Sequence, residues 1–199
     1  MGRILIACEY SGIVRDAFLE KGHEAIGCDI IPCESERPDS DQYYYQGDIR
    51  DILYEHWDMI IAHPPCTRLA HSGVRWLHER NLWDELEEGC NFFKLFLNHP
   101  TCERICVENP IIHGYATERI GKTYDQKIQP WQFGHPEKKS ICLWLKNLPL
   151  LEPTEIVDTR VARVHNVGQQ KNRGKIRSRF YTGIGRAMSN QWNLNDIGE

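Results

Sequence analysis

The chain has 199 residues, of which 41% are hydrophobic and 26% charged, and its formal net charge is −4 at pH 7. These values are typical of a globular chain with one substantial core, and we predict a single domain over residues 1–199. No apolar run approaches membrane-spanning length, and the N-terminal "MGRILIACEY" lacks the pattern of a signal peptide. The sequence therefore favours a cytoplasmic protein without a membrane partner.

The eight cysteines are scattered along the chain, and most lie in apolar runs, as small buried side chains do. No Cys-x-x-Cys pair is present, and nothing matches the paired Cys/His spacing of a structural zinc site. His63 and Cys66 are close in sequence, but a second pair is missing. We therefore expect neither a disulfide framework nor a metal site.

Apolar, β-favouring segments alternate with segments of helical periodicity. The predicted strands are Arg3–Cys8, Glu24–Asp29, Met59–Ala62, Arg104–Val107 and Ser140–Leu145. The predicted helices lie around Val14–Phe18, from Leu82 to Leu97, and over 183–192. Alternation of buried strands with helices predicts an α/β fold with a mostly parallel sheet and helices on both faces.

Polar sequences follow the first strands, at the edge where ligands bind in open parallel sheets. In "EYSG" (9–12), Gly12 allows a ligand to approach the backbone, and Tyr10 offers a ring for stacking. Asp29 stands where such folds bind ribose hydroxyls, and Asp48 of "GDIRD" is placed to accept from an exocyclic amine. The alternatives are a plain strand-to-helix turn with an exposed acid, and an aspartate that only caps a helix.

Cys66 follows directly on an apolar strand and two prolines, in "IIAHPPCTRLAHSG" (60–73). Pro64 and Pro65 fix the backbone before the thiol, which is the rigid presentation that a nucleophile needs. Glu108 follows the next predicted strand and precedes Asn109. A thiol and a carboxylate together suit attack on an electron-poor ring, where the sulfur adds to carbon and the acid supports a ring nitrogen.

These motifs resemble those of the DNA cytosine-C5 methyltransferases. "DMIIAHPPCTRLAHSG" and "ICVENP" are similar to the family's Pro-Cys and Glu-Asn motifs, and "ACEYSGIVRDAF", "IGCDI" and "GDI" to its cofactor motifs. "FGHPEKKSICLWL" resembles the later basic motif at the target base, and "GIGRAMSNQW" the motif that completes the cofactor pocket. The order along the chain also matches, and the similarity is greatest to the compact branch found in bacteriophages and prophages.

The resemblance implies a Rossmann-like fold, S-adenosyl-L-methionine as cofactor and DNA as substrate. Cys66 would add to C6 of a flipped-out cytosine, Glu108 would contact N3 and the exocyclic amine, and C5 would take the methyl group. The implied catalytic residues are Cys66, Glu108, Pro65, Asn109, Lys138 and Lys139. The implied cofactor-binding residues are Glu9, Tyr10, Ser11, Gly12, Asp29, Ile30, Asp48, Ile49, Pro64 and Arg186. For a phage or prophage enzyme, the cytoplasm would be that of the bacterial host.

No acidic residue occurs from Thr159 to Asn195, although the whole chain is acidic. We predict that this segment contacts nucleic acid in place of the family's target-recognition domain, for which it is too short. The candidate residues are Arg160, Arg163, Lys171, Arg173, Lys175, Arg177 and Arg179. A solvated basic loop is the alternative, and a separate specificity partner protein stays open.

Two other functions fit the same sequence. One is a methyltransferase-derived protein that has lost catalysis and only binds nucleic acid or a partner. The other is the same chemistry on RNA or a free nucleotide, which the short C-terminal region permits. The presence of both Cys66 and Glu108 favours an active enzyme, because a pure binder needs neither.

The basic segment leads to a prediction about salt dependence. Replacement of Lys171, Arg173 and Lys175 together by alanine should weaken DNA binding about equally on all sequences, because phosphate contacts carry no sequence information. The slope of log K against log salt should flatten by about 0.9 per lost contact. Fluorescence anisotropy over a salt series measures both quantities.

The charge-matched control replaces Lys21, Lys94 and Lys127, which lie outside the basic segment. It should leave the slope unchanged. Loss of preference for one DNA sequence in the first triple variant, at an unchanged slope, would show instead that this segment reads bases.

Overall fold

The computed structural model describes residues 1–162 and 179–196. The strands are β1 Arg3–Ala7, β2 Glu24–Asp29, β3 Tyr44–Gln46, β4 Met59–Ala62, β5 Arg104–Asn109, β6 Gln126–Ile128 and β7 Ile141–Lys146. The helices are α1 Ile13–Leu19, α2 Val74–Arg80, α3 Trp83–Leu97, α4 Gly114–Ile120 and α5 Thr182–Gln191. No helix within these ranges is long and apolar enough to cross a membrane.

The described strands form one sheet of seven, in the order β3-β2-β1-β4-β5-β7-β6. The pairs β1–β2, β2–β3, β1–β4 and β4–β5 are parallel, and β7 is antiparallel to both β5 and β6. Successive connections run outward in opposite directions from β1 and β4. The carboxyl ends of β1, β2, β4 and β5 therefore meet at one edge, with the crevice of a topological switch point between β1 and β4.

The sheet is buried on both faces, since alternate side chains of each strand point to opposite sides. Ile4 and Ile6 of β1 pack in a cluster with residues of α1 and α5. Leu5 and Ala7 pack in a second cluster with residues of α2, α3 and α4. The predicted α/β class is confirmed: the fold is Rossmann-like, with a mostly parallel sheet and helices on both faces.

Helix α3 illustrates how the sequence specifies these layers. Leu86, Cys90, Phe93 and Phe96 are fully buried and repeat at helical spacing, so one stripe of the helix faces the sheet. Acidic residues occupy the first turn and a lysine the last, which complements the helix dipole. The helix ends at Leu97, shortly before Pro100, as the sequence predicts.

Some strand boundaries differ from the sequence-based prediction. β1 ends at Ala7 instead of Cys8, because Cys8 has a left-handed backbone with φ of 58°. β5 extends two residues past Val107, because Glu108 pairs with Leu143 and Asn109 pairs with Cys142 of the antiparallel β7. Glu108 is therefore held by a strand ladder and does not lie in a loop.

Helix α5 approaches its neighbours closely at Gly183. A Cβ atom there would lie 1.8 Å from the carbonyl oxygen of Phe133, and the Gly183 amide donates to His135 Nε2 at 2.9 Å. The contact is with backbone, so a side chain requires movement of the chain around Phe133.

Gly183→Ala should therefore lower the free energy of unfolding by about 1–3 kcal/mol, the usual cost of overpacking. Gly114→Ala is the matched control, because nothing lies within 4 Å of the Cβ position there. At that helical position alanine should be neutral or stabilising by up to about 1 kcal/mol. Urea denaturation of both variants measures the difference, and equal stabilities would contradict the close packing of α5.

Candidate active site

A cavity of about 1240 Å³ lies at the carboxyl ends of the parallel strands. Most residues predicted from the sequence as catalytic or cofactor-binding line it: Glu9, Tyr10, Ser11, Asp29, Ile30, Asp48, Ile49, Pro64, Pro65, Cys66, Glu108, Asn109 and Lys139. The volume exceeds the roughly 300–1,000 Å³ of an ordinary small-ligand pocket, so the cavity has room for two ligands side by side.

The Cys66 thiol is presented by a short, braced segment after β4. The amide of His63 continues the sheet by donating to Ala7 O at 2.9 Å. The side-chain amide of Asn109 donates to Pro64 O at 2.8 Å, and Cys66 O accepts from Leu69 and Ala70 at 3.0 and 2.9 Å. Because the prolines remove two donors and fix two φ angles, these bonds hold the segment in one conformation.

Glu108 lies on the neighbouring strand, β5, and faces the same cavity. Its side chain is 12% exposed, and its Oε2 lies 3.1 Å from Nδ1 of His63, whose side chain is 10% exposed. A carboxylate in such a position is held rigidly, because both its backbone and one of its oxygens are bonded. This is the preorganisation that an acid acting on a bound ring requires.

The structure separates two lysines that the sequence left as alternatives. Lys139 lines the cavity, with its Nζ 5.6 Å from the ring centroid of Tyr181 and its amide bonded to Gln129 Oε1 at 3.0 Å. Lys138 is exposed and does not line the cavity; its amide pairs with Val161 O at 2.9 Å. Of these two lysines, Lys139 is therefore the one that lines the same cavity as Glu108.

Two aspartates line the part of the cavity beside β2 and β3. Burial raises the pKa of Asp29, although the amides of Ile31 and Ile30 donate to its carboxyl and act in the opposite direction. Asp48 caps the turn Ile49–Asp51: its Oδ1 accepts from the Arg50 amide and its Oδ2 from the Arg50 guanidinium, both at 2.9 Å. The hydrogen bond from the backbone N–H of Arg50 lowers the pKa of Asp48. The capping alternative for Asp48 is thus present in the structure, beside the predicted cofactor role.

Glu9 follows β1 and is only 5% exposed. Its Oε1 accepts from the Ser11 hydroxyl and from the Ile13 amide, whereas its Oε2 is buried without a hydrogen-bond partner. Burial raises the pKa of Glu9, and the largest opposing influence is the nearby charge of His63. A buried carboxylate with an unsatisfied oxygen at a strand end is typical of a functional site.

Some predicted residues do not line the cavity. Gly12 has φ of 72° and caps α1, where a Cβ atom would lie 2.7 Å from Ser35 Cβ. Arg186 and Arg179 are exposed, and the exposed Arg160 stacks on Trp131 at 3.8 Å. The remaining predicted nucleic-acid contacts, Arg163, Lys171, Arg173, Lys175 and Arg177, lie outside the described residues.

The structure also adds residues that sequence analysis missed. His63 contacts Glu108, and the ring of Phe180 packs edge-on against His63 with centroids 4.8 Å apart. The two partners lie 45 and 117 positions from His63 in the sequence, so no local pattern connects them. The position of His63 beside Pro64 was the only available signal.

Comparison with known proteins gives a distant structural similarity. The solved structure of the Entamoeba histolytica methyltransferase EhMeth is similar to this chain with a TM-score of 0.48 and 15% sequence identity, over 79% of this chain. This chain spans 58% of the length of that protein. No protein-family model matches the sequence, and no curated protein does.

Glu9 leads to a prediction about stability and pH. Because its pKa is raised from an ordinary value of 4.5, the folded state holds this proton more tightly than the unfolded chain. The stability cost of Glu9 is therefore absent below the unfolded pKa and grows as the pH rises towards the folded pKa. Glu9→Gln should stabilise the protein more at pH 8 than at pH 4.

Urea denaturation at the two pH values measures this difference. Glu103→Gln, at an exposed glutamate, is the matched control and should show no such gain with pH. If Glu9→Gln gave the same change in unfolding free energy at both values, burial would not penalise the charge of Glu9.

Proposed function

We propose that this chain is an S-adenosyl-L-methionine-dependent methyltransferase that acts on C5 of cytosine in DNA. The observation that carries the proposal is the convergence of Cys66, Glu108 and Lys139 on one cavity, from three separate segments. A thiol, a carboxylate and a cation around one site are the groups that addition to a pyrimidine requires. The motif order that resembles the cytosine-C5 family supports the same reaction.

The proposed reaction uses these residues in turn. The Cys66 thiolate would form a bond to C6 of the cytosine, and the electron pair of the C5–C6 double bond would shift to the C4–C5 bond, which places negative charge at N3. Glu108 would support that charge and hold the exocyclic amine, and Lys139 would donate to the base oxygen. C5 would form a bond to the methyl group that the cofactor supplies, with the cofactor's sulfonium sulfur as the leaving group. The C5 proton would then leave to a base as the bond from C6 to the Cys66 sulfur breaks, which returns the thiolate.

The residues beside β1 and β2 fit the proposed cofactor. Asp29 would accept from the ribose hydroxyls, Asp48 from the adenine amine, and Ile30 and Ile49 would flank the adenine ring. The buried Glu9 carries an unsatisfied oxygen at the end of β1, where an amino group of the cofactor would satisfy it. When bound, S-adenosyl-L-methionine supplies an electrophilic methyl group.

DNA is the proposed substrate because of the acid-free segment from Thr159 to Asn195. In the described part of that segment, Arg160 and Arg179 are both exposed. The target cytosine must leave the base stack, since Cys66 has to approach the face of the ring. RNA and free cytidine nucleotides share this chemistry, and their turnover relative to DNA decides the substrate class.

The proposal is tested most simply at the nucleophile. Cys66→Ala should abolish methyl transfer and leave the fold intact, because burial raises the pKa of Cys8 and Cys28, the other cysteines that line the cavity, and disfavours their thiolates. The unsubstituted protein should form a covalent complex with DNA that contains 5-fluorocytosine, since fluorine cannot leave C5 as a cation. Denaturing gel electrophoresis and intact-mass measurement detect the complex.

Cys33→Ala is the matched control, since Cys33 is half-buried but does not line the cavity. It should retain turnover and trapping. Continued methylation by Cys66→Ala, or methylation by the unsubstituted protein without any trapped complex, would contradict a covalent intermediate between Cys66 and the cytosine.

The two lysines provide a second test of the same site. Lys139→Ala should lower kcat/KM by about 10- to 100-fold, the usual effect of losing one charged hydrogen-bond donor. Lys138→Ala should leave kcat/KM unchanged, because Lys138 is exposed and outside the cavity. Steady-state kinetics on one DNA substrate compares the two, and the reverse ranking would place Lys138 at the base.

A further inference from the structure

Three buried polar atoms on the wall of the cavity have no hydrogen-bond partner: Nε2 of His63, Oε2 of Glu9 and Oδ1 of Asn109. Buried polar atoms are nearly always satisfied, so several unsatisfied atoms on one cavity wall call for a reason. Each of these side chains is bonded through another polar atom, His63 to Glu108, Glu9 to Ser11 and Ile13, and Asn109 to Pro64. The three side chains are therefore fixed by those other bonds.

The imidazole of His63 is fixed from several directions. Its backbone amide donates to Ala7 O at 2.9 Å, and its ring packs at 65° against Phe180 with centroids 4.8 Å apart. Its Nδ1 lies 3.1 Å from Glu108 Oε2. A ring held in this way keeps one edge on Glu108 and directs the opposite edge, with Nε2, away from it.

Glu9 is the other acid that interacts with this ring. Burial raises the pKa of Glu9, and the charge of His63 is the strongest influence in the opposite direction. His63 also acts on Asp29 of β2, more weakly than the backbone amides that bond Asp29. The acids that face His63 are thus Glu9 after β1, Asp29 at the end of β2 and Glu108 on β5.

We propose that His63 is a positioning residue for the catalytic carboxylate. Its Nδ1–H holds one oxygen of Glu108 so that the other addresses the substrate ring. The proposal rests on the proposed function for the role of Glu108. The contacts themselves do not depend on it.

The arrangement explains why the segment before Cys66 begins with histidine. The tautomer of a neutral imidazole is set by the hydrogen bond that one ring nitrogen makes, and Nδ1 is the nitrogen beside Glu108. One imidazole thereby links the strand that leads to Cys66 with the neighbouring strand that carries Glu108.

The contacts are tested without any substrate. In protein with ¹⁵N-labelled histidine, NMR should show neutral His63 protonated at Nδ1, with the signals assigned by their loss in His63→Asn. Glu108→Gln should shift the Nδ1 resonance, because it replaces the carboxylate oxygens beside that nitrogen. Protonation of His63 at Nε2, or an Nδ1 resonance indifferent to Glu108→Gln, would overturn the proposal even if the protein methylates DNA.

Kinetics then separate positioning from a structural role. His63→Asn keeps an amide donor near Nδ1, whereas His63→Gln moves it towards Nε2. His63→Gln should lower kcat by about 10²-fold, the effect of small misplacement of a reacting group, and His63→Asn should restore most of that loss. Equal kcat in the two variants would overturn the positioning role.

The matched control is His99→Asn, because His99 is also buried, at 2% exposure, but bonds Leu53 O and the Cys102 amide outside the cavity. It should lower the thermal unfolding midpoint and leave kcat unchanged. A fall in kcat as large as that of His63→Gln would show that loss of stability alone explains the effect.

Discussion

The parallel pairing of β4 with β5 determines the whole site. Ala62 is in register with Val107, so the residues that follow on the two chains, His63 and Glu108, emerge side by side. A shift of one residue would turn Glu108 to the opposite face of the sheet, since side chains alternate. The antiparallel ladder to β7 and the bond from Asn109 to Pro64 O keep both strand ends in this register beyond the last parallel pair.

This arrangement is costly in stability. Glu9, His63 and Asn109 each leave one buried polar atom without a partner, and each such atom typically costs about 1–3 kcal/mol. Against a total stability of about 5–15 kcal/mol for a domain, these costs are large. The apolar clusters on both faces of the sheet offset them, because every residue of β4 is fully buried. These unsatisfied polar groups lie at or just past the carboxyl ends of β1, β4 and β5, where buried strands hold their positions.

Much of the fold follows directly from the sequence. β2 and β4 have the predicted boundaries, because each is a short apolar run bounded by polar or proline residues. β3 and β6 were not predicted, since three residues are too few for a pattern, and their pairing depends on neighbours in space. α2 and α4 were missed because α2 buries one side chain and α4 two, which is too few to show helical periodicity, whereas α1, of the same length, buries four.

Some features of the candidate site could likewise be predicted from the sequence, and others could not. The convergence of Cys66 and Glu108 could be predicted, because the carboxyl ends of parallel strands share one edge. The capping of the Ile49–Asp51 turn by Asp48 is one of the two roles that the sequence offers for that residue. The contact of His63 with Glu108, and the position of Lys139 but not Lys138 on the cavity wall, could not be predicted, since both depend on side-chain direction and on segments distant in sequence.

The central claim is transfer of a methyl group to C5 of cytosine in DNA. The direct measurement is incubation of unmethylated DNA with S-adenosyl-L-methionine that carries a trideuterated methyl group, followed by nucleoside mass spectrometry. We predict 5-methylcytosine that retains the three deuterium atoms, in larger yield from DNA than from RNA or dCMP. The same label in N4-methylcytosine or N6-methyladenine, or in no nucleoside from any of the three substrates, would contradict the claim.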